Sequence, residues 1–369
     1  MILAVPREAA QNERRVALVP ESVSRFVKMG VAVHVQHGAG ENAAFPDALY
    51  EKAGAQIVAD APSLARDCDV LLCVGRPSDD LLALLRKGTT LVGFFNPLGD
   101  PAYLKRLAER DVTALAVESI PRITRAQPMD ALSSQSNIAG YKAVLLAASA
   151  LPRFFPMLTT AAGTIPPAKV FVIGAGVAGL QAIATARRLG AVVSGYDARP
   201  VVKEQVQSLG ASFVEFDLGQ AEGAGGYAKE LTPEQLEKQQ RAMAETIAKN
   251  DVVITTAAVP GRRAPLIVTE AAVKAMQPGS VIVDLAAETG GNCALTKIGE
   301  TAVTENGVTI IGTLNLPSTM PYDASRLYSR NLFALLSPFI KDGALVLDPN
   351  DDIVKGSCVV RDGKVAGSS

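Results

Sequence analysis

Two histidines, His34 and His37, are all the imidazole this 369-residue chain contains. An enzyme built on it has almost no side chain that exchanges protons near neutral pH at its ordinary pKa. Cysteine is scarce as well. Cys68, Cys73, Cys293 and Cys358 form no CxxC pair, which argues against a zinc site or redox dithiol and for buried thiols in a reducing cytosol. Neither sign of charge is in excess: 36 Lys and Arg face 37 Asp and Glu, for a formal net charge of -1. A broad nucleic-acid surface would need a basic surplus. Long apolar runs are missing too. The densest, at 143–151, falls far short of the roughly 20 residues a bilayer span needs. The opening Met-Ile-Leu-Ala-Val-Pro-Arg-Glu reads as a first β-strand and not as a secretion signal. The chain has no internal repeat, charge block or low-complexity tract. These absences predict a soluble protein, of a length that suggests two domains at roughly 100–200 residues each.

What is present alternates strand and helix signals. Apolar strands are expected at 2–5, 31–36, 57–59, 70–74 and 91–95, with helical stretches at 20–29, 80–86 and 101–110. That alternation implies a parallel sheet with helices on its faces. A long helix follows at 133–153. A second block then repeats the pattern, with strands at 169–173, 191–196, 212–216, 252–256, 280–285 and 309–311 and a helix at 177–189. A further long helix at 323–336 would carry the chain back to the first block. Short strands are expected at 345–347 and 357–360. The predicted class is α/β, with two doubly wound, Rossmann-like parallel-sheet domains joined by long helices and a nucleotide cleft between them. Residues 1–131 with 318–369 would form one domain and 132–317 the other.

The strongest chemical motif is Gly174-Ala-Gly176-Val-Ala-Gly179. It follows one expected strand and opens one expected helix, the context a dinucleotide-binding turn requires. Gly174 permits the turn, Gly176 lets the backbone approach a pyrophosphate, and Gly179 lets helix and strand pack closely. The helix N-terminus, at Val177 and Ala178, offers free N–H groups to the phosphates. Asp197 ends the next strand, 23 residues after Gly174, where an acid is expected on the adenosine ribose of NAD(H). Arg199 would suit a 2′-phosphate, but the neighbouring carboxylate would repel one. The other strand ends, at 255–261, 284–292 and 312–317, are rich in small and polar residues and include Ala257 and Asn292. Each suits backbone approach to a nicotinamide and equally suits an ordinary turn. The glycine-rich 222–227 reads as an exposed turn or as a lid carrying Tyr227, and Thr232-Pro-Glu-Gln235 signals a helix start.

A polar cluster precedes the long helix. Arg122, Arg125, Gln127, Asp130, Ser133, Ser134, Gln135 and Asn137 fall within 16 positions. Asp130 or Ser133 could simply cap the helix. The density of hydrogen-bonding groups favours a ligand site: an amide such as Gln127 and an Arg–Asp pair could orient a carboxamide and a ribose. None of these groups is a proton shuttle near neutral pH.

Seven segments in order carry a resemblance: Arg122-Ile-Thr-Arg-Ala-Gln127, Met129-Asp-Ala-Leu-Ser-Ser-Gln135, Ala139-Gly-Tyr141, the glycine motif through Leu180, Lys203-Glu-Gln205, Gly226-Tyr-Ala-Lys229 and Gly290-Gly-Asn-Cys293. Along essentially its whole length the chain resembles the NAD(H)-binding α-subunit domain of the proton-translocating NAD(P)+ transhydrogenases, a family related to the alanine dehydrogenases. The resemblance implies Arg122, Gln127, Asp130 and Ser133 around the nicotinamide end. It implies a cofactor-binding set of Gly174, Gly176, Val177, Ala178, Gly179, Asp197, Ala198, Arg199, Tyr227, Ala257 and Asn292, with no metal. It implies a homodimer that docks an NADP(H)-binding β subunit, with proton movement through a membrane partner. A chain ending near residue 369 resembles the split form, in which a separate small transmembrane α subunit supplies the membrane part. Such a chain would lie peripherally on the cytoplasmic face of the inner membrane.

The alternatives are a soluble amino-acid dehydrogenase and an NAD(H)-sensing module. A dehydrogenase must remove a substrate proton. The related alanine dehydrogenases supply a lysine and a histidine in the first domain, where this chain has Val74-Gly-Arg-Pro77 and Gly93-Phe-Phe-Asn96. Hydride exchange between two nicotinamides involves no substrate proton, so the histidine shortage favours it.

Overall fold

Several apolar stretches are buried residue after residue: Val70–Leu72, Thr90–Gly93, Val252–Thr255 and Val281–Asp284 have no exposed position. Strands covered on both faces belong in parallel sheets flanked by helices. The computed structural model describes residues 1–216, 233–258 and 261–366. It contains two such sheets in two compact units, Met1–Ser136 with Pro317–Ser369, and Asn137–Leu316. The division falls inside the helix Ala131–Ala150.

In the first unit, β1 (Ile2–Val5), β2 (Ala32–Gln36), β3 (Gln56–Val58), β4 (Val70–Leu72), β5 (Thr90–Gly93) and β6 (Thr113–Ala116) pair in parallel in the order β6-β5-β4-β1-β2-β3. Successive side chains point to opposite faces. Leu3, Val5, Val70 and Leu72 therefore join one core cluster, while Ala4, Leu71 and Cys73 join another across the sheet. The helix Pro321–Leu336 adds Tyr328, Leu332, Leu335 and Leu336 to the first cluster, and the Tyr328 hydroxyl donates to the Cys73 carbonyl at 2.7 Å.

In the second unit the remainder of the helix Ala131–Ala150 is followed by a hairpin, β7 (Leu158–Thr160) and β8 (Gly163–Ile165). Its sheet is built from β9 (Lys169–Ile173), β10 (Val192–Tyr196), β11 (Ser212–Phe213), β12 (Val252–Thr255), β13 (Val281–Asp284), β14 (Thr301–Val303) and β15 (Thr309–Ile311), in the order β11-β10-β9-β12-β13-β15-β14. Strand β9 lies between β10 and β12, so the order reverses there. A doubly wound sheet binds ligands outside such a switch point, at the carboxyl ends of the strands.

The doubly wound parallel architecture agrees with the sequence expectation, and both sheets add antiparallel edges. Cys358–Arg361 runs antiparallel to β6 and pairs with Lys364–Val365 through Asp362 and Gly363, both at positive φ. Ile340–Lys341 and Ala344–Leu345 form a like hairpin over Asp342 and Gly343. Asp-Gly is the two-residue turn whose twist matches a hairpin, so the strand expected at 345–347 is shorter and paired locally. Strand β11 ends at Phe213 and not at 216. β6, β14 and the β7–β8 hairpin were not anticipated.

Candidate functional site

Strand β9 ends at Ile173, and the chain turns at Gly174 with φ +95°. A Cβ there would stand 2.5 Å from Thr256 Oγ1, so the turn requires glycine both sterically and conformationally. At Gly179 a Cβ would lie 1.8 Å from the Gly174 carbonyl oxygen. That glycine sets the helix Val177–Arg188 against the turn. Gly176 is different. Its φ of -76° and ψ of -167° suit any residue, and a Cβ would meet nothing within 4 Å. Internal packing does not demand glycine at 176; close approach of an external group to the backbone would. The helix begins there without a side-chain cap, which leaves its first N–H groups for a ligand. Val177 is exposed and Ala178 half-buried. A Cβ on Gly140 would come within 2.0 Å of the Ala178 carbonyl oxygen, so Gly140 brings the long helix close to this turn.

Asp197 follows β10. Its Oδ2 accepts from the Ala175 N–H at 2.8 Å, and its Oδ1 from the Arg199 N–H at 2.9 Å. The Arg199 guanidinium closes the set as a fork, Nε to Oδ1 at 2.9 Å and Nη2 to Oδ2 at 3.0 Å. Burial opposes ionisation of Asp197, but the bonds from Arg199 and Ala175 outweigh it and hold the carboxyl below the usual carboxylate range. The Asp197 side chain is 9% exposed and that of Arg199 60%. Ala198 is exposed beside them.

The loops after β12 and β13 are tied by a buried carboxylate. Asp284 accepts from Thr255 Oγ1, Ala286 N, Asn292 N, Cys293 N and Thr296 Oγ1, at 2.7 to 3.1 Å. Among the described residues no cation pairs with it. Asn292, fully buried, accepts from the Ala257 N–H and donates to the Ala257 and Pro265 carbonyls. Both ends of its amide are engaged by backbone, so its action on a ligand passes through Ala257. Next to Ala257, Thr256 Oγ1 donates to the Gly174 carbonyl at 3.0 Å. Asp284, Asn292, Ala257, Thr256 and Gly174 therefore form one connected support beneath the glycine turn.

The polar segment, all but Asn137, belongs to the first unit. Ala126 and Met129 bury one side of the 3-10 turn Thr124–Met129, while Arg122, Arg125 and Gln127 are exposed. Arg125 forms a fork with Asp351 at 2.7 and 2.8 Å, and Asn331 Nδ2 donates to the Pro128 carbonyl. Asp130 caps the long helix, accepting from the Ser133 N–H and hydroxyl at 2.8 and 2.6 Å. Capping fixes the Asp130–Ser133 pair in place and leaves the pair half-buried. Among the described residues, no side chain hydrogen-bonds to Arg122 or Gln127.

Two acids that sequence reasoning missed shape the first unit's strand ends. Glu8 accepts from the Val74 and Gly75 N–H groups at 2.6 and 3.1 Å. Burial pushes its pKa up to about 7 against those bonds. Glu118 accepts from Phe95 and Asn96 N–H, and burial raises it too. Arg76 binds the Phe95 carbonyl and Asp100. The loops at 74–77 and 93–96 are thus held by internal carboxylates and an arginine. The four cysteines are unpaired.

Family models account for nearly the whole chain: "Alanine dehydrogenase/PNT, N-terminal domain" matches residues 4–139 and "Alanine dehydrogenase/PNT, C-terminal domain" matches 143–368. The chain belongs to the alanine dehydrogenase/PNT family. A Rhodospirillum rubrum relative, the first portion of an NAD(P) transhydrogenase subunit alpha, is 47% identical over 99% of this chain and 97% of its own length. The crystal structure of transhydrogenase from Sinorhizobium meliloti is 45% identical and matches with a TM-score of 0.90, covering 99% of this chain and 100% of that one. A structure of L-alanine dehydrogenase matches at 26% identity and a TM-score of 0.83, over 100% and 97% of the two chains. Both branches of the alanine dehydrogenase/PNT family therefore share the two-unit fold. Tyr227, the 222–227 stretch and Thr232 lie outside the described residues, as do 259 and 260 in the loop after β12. Among the described residues no helix is long and apolar enough to cross a membrane, and no group of His, Cys, Asp or Glu could hold a metal ion.

Proposed function

We propose that the chain is the NAD(H)-binding subunit of a proton-translocating NAD(P)+ transhydrogenase, passing hydride between NAD(H) held here and NADP(H) held on a partner subunit. The observation that carries the reading is Gly176, open to any approaching group at the uncapped N-terminus of Val177–Arg188. Among the described residues nothing explains a glycine there, and a dinucleotide pyrophosphate does.

The nicotinamide ring supplies the two-electron hydride chemistry. The chain's residues bind and orient it. The N–H groups at Gly176, Val177 and Ala178 take the pyrophosphate, with Gly174 and Gly179 shaping the turn. Asp197 takes the adenosine ribose hydroxyls, with Ala198 and Arg199 beside it. Ala257, steadied by Asn292, gives backbone approach. Arg122, Gln127, Asp130 and Ser133 orient the nicotinamide end, where misplacement by an ångström costs rate steeply. No step needs a proton held by the protein. This fits loops at 74–77 and 93–96 without lysine or histidine, in contrast to the alanine dehydrogenases. The partners are a second copy of this chain, the NADP(H)-binding β subunit and a small transmembrane α subunit, which together hold the chain at the cytoplasmic face of the inner membrane and couple hydride transfer to proton translocation.

The test mixes the purified chain with an NADP(H)-binding β-subunit domain and follows hydride exchange between NADH and an NADP+ analogue. Turnover only in the mixture is expected. Alanine-dependent NAD+ reduction by the chain alone would assign it to the dehydrogenase branch. NADH binding with neither activity would leave a sensor.

A further inference from the structure

The Gln127 side chain, with no hydrogen-bonded side-chain partner among the described residues, takes its position from the backbone that carries it, the 3-10 turn Thr124–Met129. Two anchors flank it on that turn. Arg125 pairs with Asp351, but its guanidinium is exposed, and ion pairs at the surface contribute little. The other anchor is the carbonyl of the very next residue, Pro128, which accepts from Asn331 Nδ2 at 2.8 Å. Asn331 is buried on the helix Pro321–Leu336, 203 residues away in sequence.

Behind Asn331 stands a chain of hydrogen bonds that runs in one direction. Arg15 Nη1 donates to Gln135 Oε1 at 2.9 Å. Gln135 Nε2 donates to Ser134 Oγ at 3.2 Å and to the Ala324 carbonyl at 3.1 Å. The Ser134 hydroxyl has Asn331 Oδ1 at 2.7 Å, a closer acceptor than the Ala131 carbonyl at 3.1 Å. A guanidinium can only donate and a carbonyl can only accept. The two ends therefore fix both amides, since turning either one over would bring like groups face to face. Arg15 is itself clamped by Glu13, Nε to Oε1 at 2.7 Å and Nη2 to Oε2 at 2.6 Å. Glu13, Arg15 and Gln135 are buried as well. From the sequence, Ser134 and Gln135 counted toward a ligand-facing cluster; the structure engages both in this chain.

Holding the helix to the turn does not call for such a chain. Ala126 and Met129 already pack in one core cluster with Tyr328, Leu332 and Leu335. Apolar side chains at 134, 135 and 331 would add to that packing without desolvating polar groups. They would not aim a peptide carbonyl. We propose that Asn331 is a positioning residue for hydride transfer, fixing the Pro128 carbonyl and through it the turn that presents Gln127. Arg15, Gln135 and Ser134 hold the Asn331 amide in the orientation that does so. The inference rests on the transhydrogenase reading above.

The experiment mixes the full chain with the NADP(H)-binding β-subunit domain and measures single-turnover hydride transfer. NADH affinity and the thermal melt of the chain alone are measured beside it. Asn331→Leu removes the donor and keeps a side chain of similar shape. It is expected to slow transfer about tenfold or more, with NADH affinity changed by less than about threefold. Ser134→Ala removes only the hydroxyl that orients the amide, and should slow transfer by a smaller factor. In the Gln127→Asn background, Asn331→Leu should add less than about twofold, because the amide it positions is already withdrawn. An unchanged rate in folded Asn331→Leu would overturn the inference. So would slowing that multiplies in the double variant, since Asn331 would then act on something other than Gln127. Loss of affinity and rate in equal proportion would reduce Asn331 to a structural residue and overturn it too. Should Asn331→Leu fail to fold, Ser134→Ala decides: an unchanged rate there overturns the inference, and a slower rate at unchanged affinity upholds it. Absence of hydride exchange by the unaltered chain in the mixture would instead overturn the transhydrogenase reading, and this inference with it.

Discussion

Glu8 illustrates how a single half-buried acid makes stability depend on pH. In the folded chain its proton is held until about pH 7, chiefly because burial penalises the carboxylate. In the unfolded chain it leaves near the ordinary value of 4.5. Between those values the native state binds more protons, so stability falls as pH rises. The contribution is fully present below about 4.5 and lost above about 7, and at 1.36 kcal/mol per pKa unit it amounts to about 3 kcal/mol. Glu8→Gln fixes the neutral form. The difference in urea-unfolding free energy between Glu8→Gln and the unaltered chain should therefore shift by about 3 kcal/mol in favour of the variant between pH 4.5 and pH 8. Parallel pH profiles would show that the Val74 and Gly75 N–H groups hold the carboxylate ionised instead. Nothing in the sequence around Glu8 marks it out: its partners are 66 and 67 residues away, and only the sheet order brings them together.

At the scale of elements, the glycine turn offers a contrast within one motif. Gly179→Ala would press a Cβ to 1.8 Å from the Gly174 carbonyl oxygen, and neither backbone can retreat without breaking the strand–helix contact. Gly176→Ala adds its methyl to open space in an unstrained conformation. The first should lose folding and nucleotide binding together. The second should unfold within about 0.5 kcal/mol of the unaltered chain, as surface substitutions do, yet bind NADH about tenfold or more weakly. Thermal melts beside NADH titrations check both, and unchanged affinity in Gly176→Ala would remove the pyrophosphate from that turn. The same element separates what was legible in the sequence from what was not. β9, the turn and the helix after it follow from an apolar run and three glycines, all local signals. Of the Asp342-Gly343 and Asp362-Gly363 hairpins, equally local, one strand each was expected, at 345–347 and 357–360, and the partner strands were missed because they are only two residues long. The Asp284 network beneath the turn was not legible, since a carboxylate meeting five donors from separate loops leaves no periodic trace. Asn292 was named for the site from the sequence, which gives no sign that its amide is spent on Ala257.

At the scale of the whole molecule, the residues assigned to the nucleotide divide by unit. The glycine turn and Asp197 belong to Asn137–Leu316, and Arg122, Gln127, Asp130 and Ser133 to the unit that begins at Met1. The division predicts a separation of binding from transfer. On the proposed assignment, affinity should rest on the second unit, to which pyrophosphate and ribose are assigned, and rate on the first, to which the nicotinamide end is assigned. Gln127 suits the test because its side chain is exposed and, among the described residues, without a hydrogen-bonded side-chain partner, so shortening it disturbs no internal contact. Gln127→Asn keeps the amide but withdraws it by one methylene, roughly an ångström, a displacement that can cost about a hundredfold in a reaction governed by approach geometry. In the mixture with the NADP(H)-binding partner, single-turnover hydride transfer should slow by about tenfold to a hundredfold. NADH affinity of the chain alone should change by less than about threefold, a difference under about 1 kcal/mol. A variant that loses affinity and rate in the same proportion would place Gln127 among the residues that hold the nucleotide equally in ground and transition states, and would remove the assignment of orientation to the first unit.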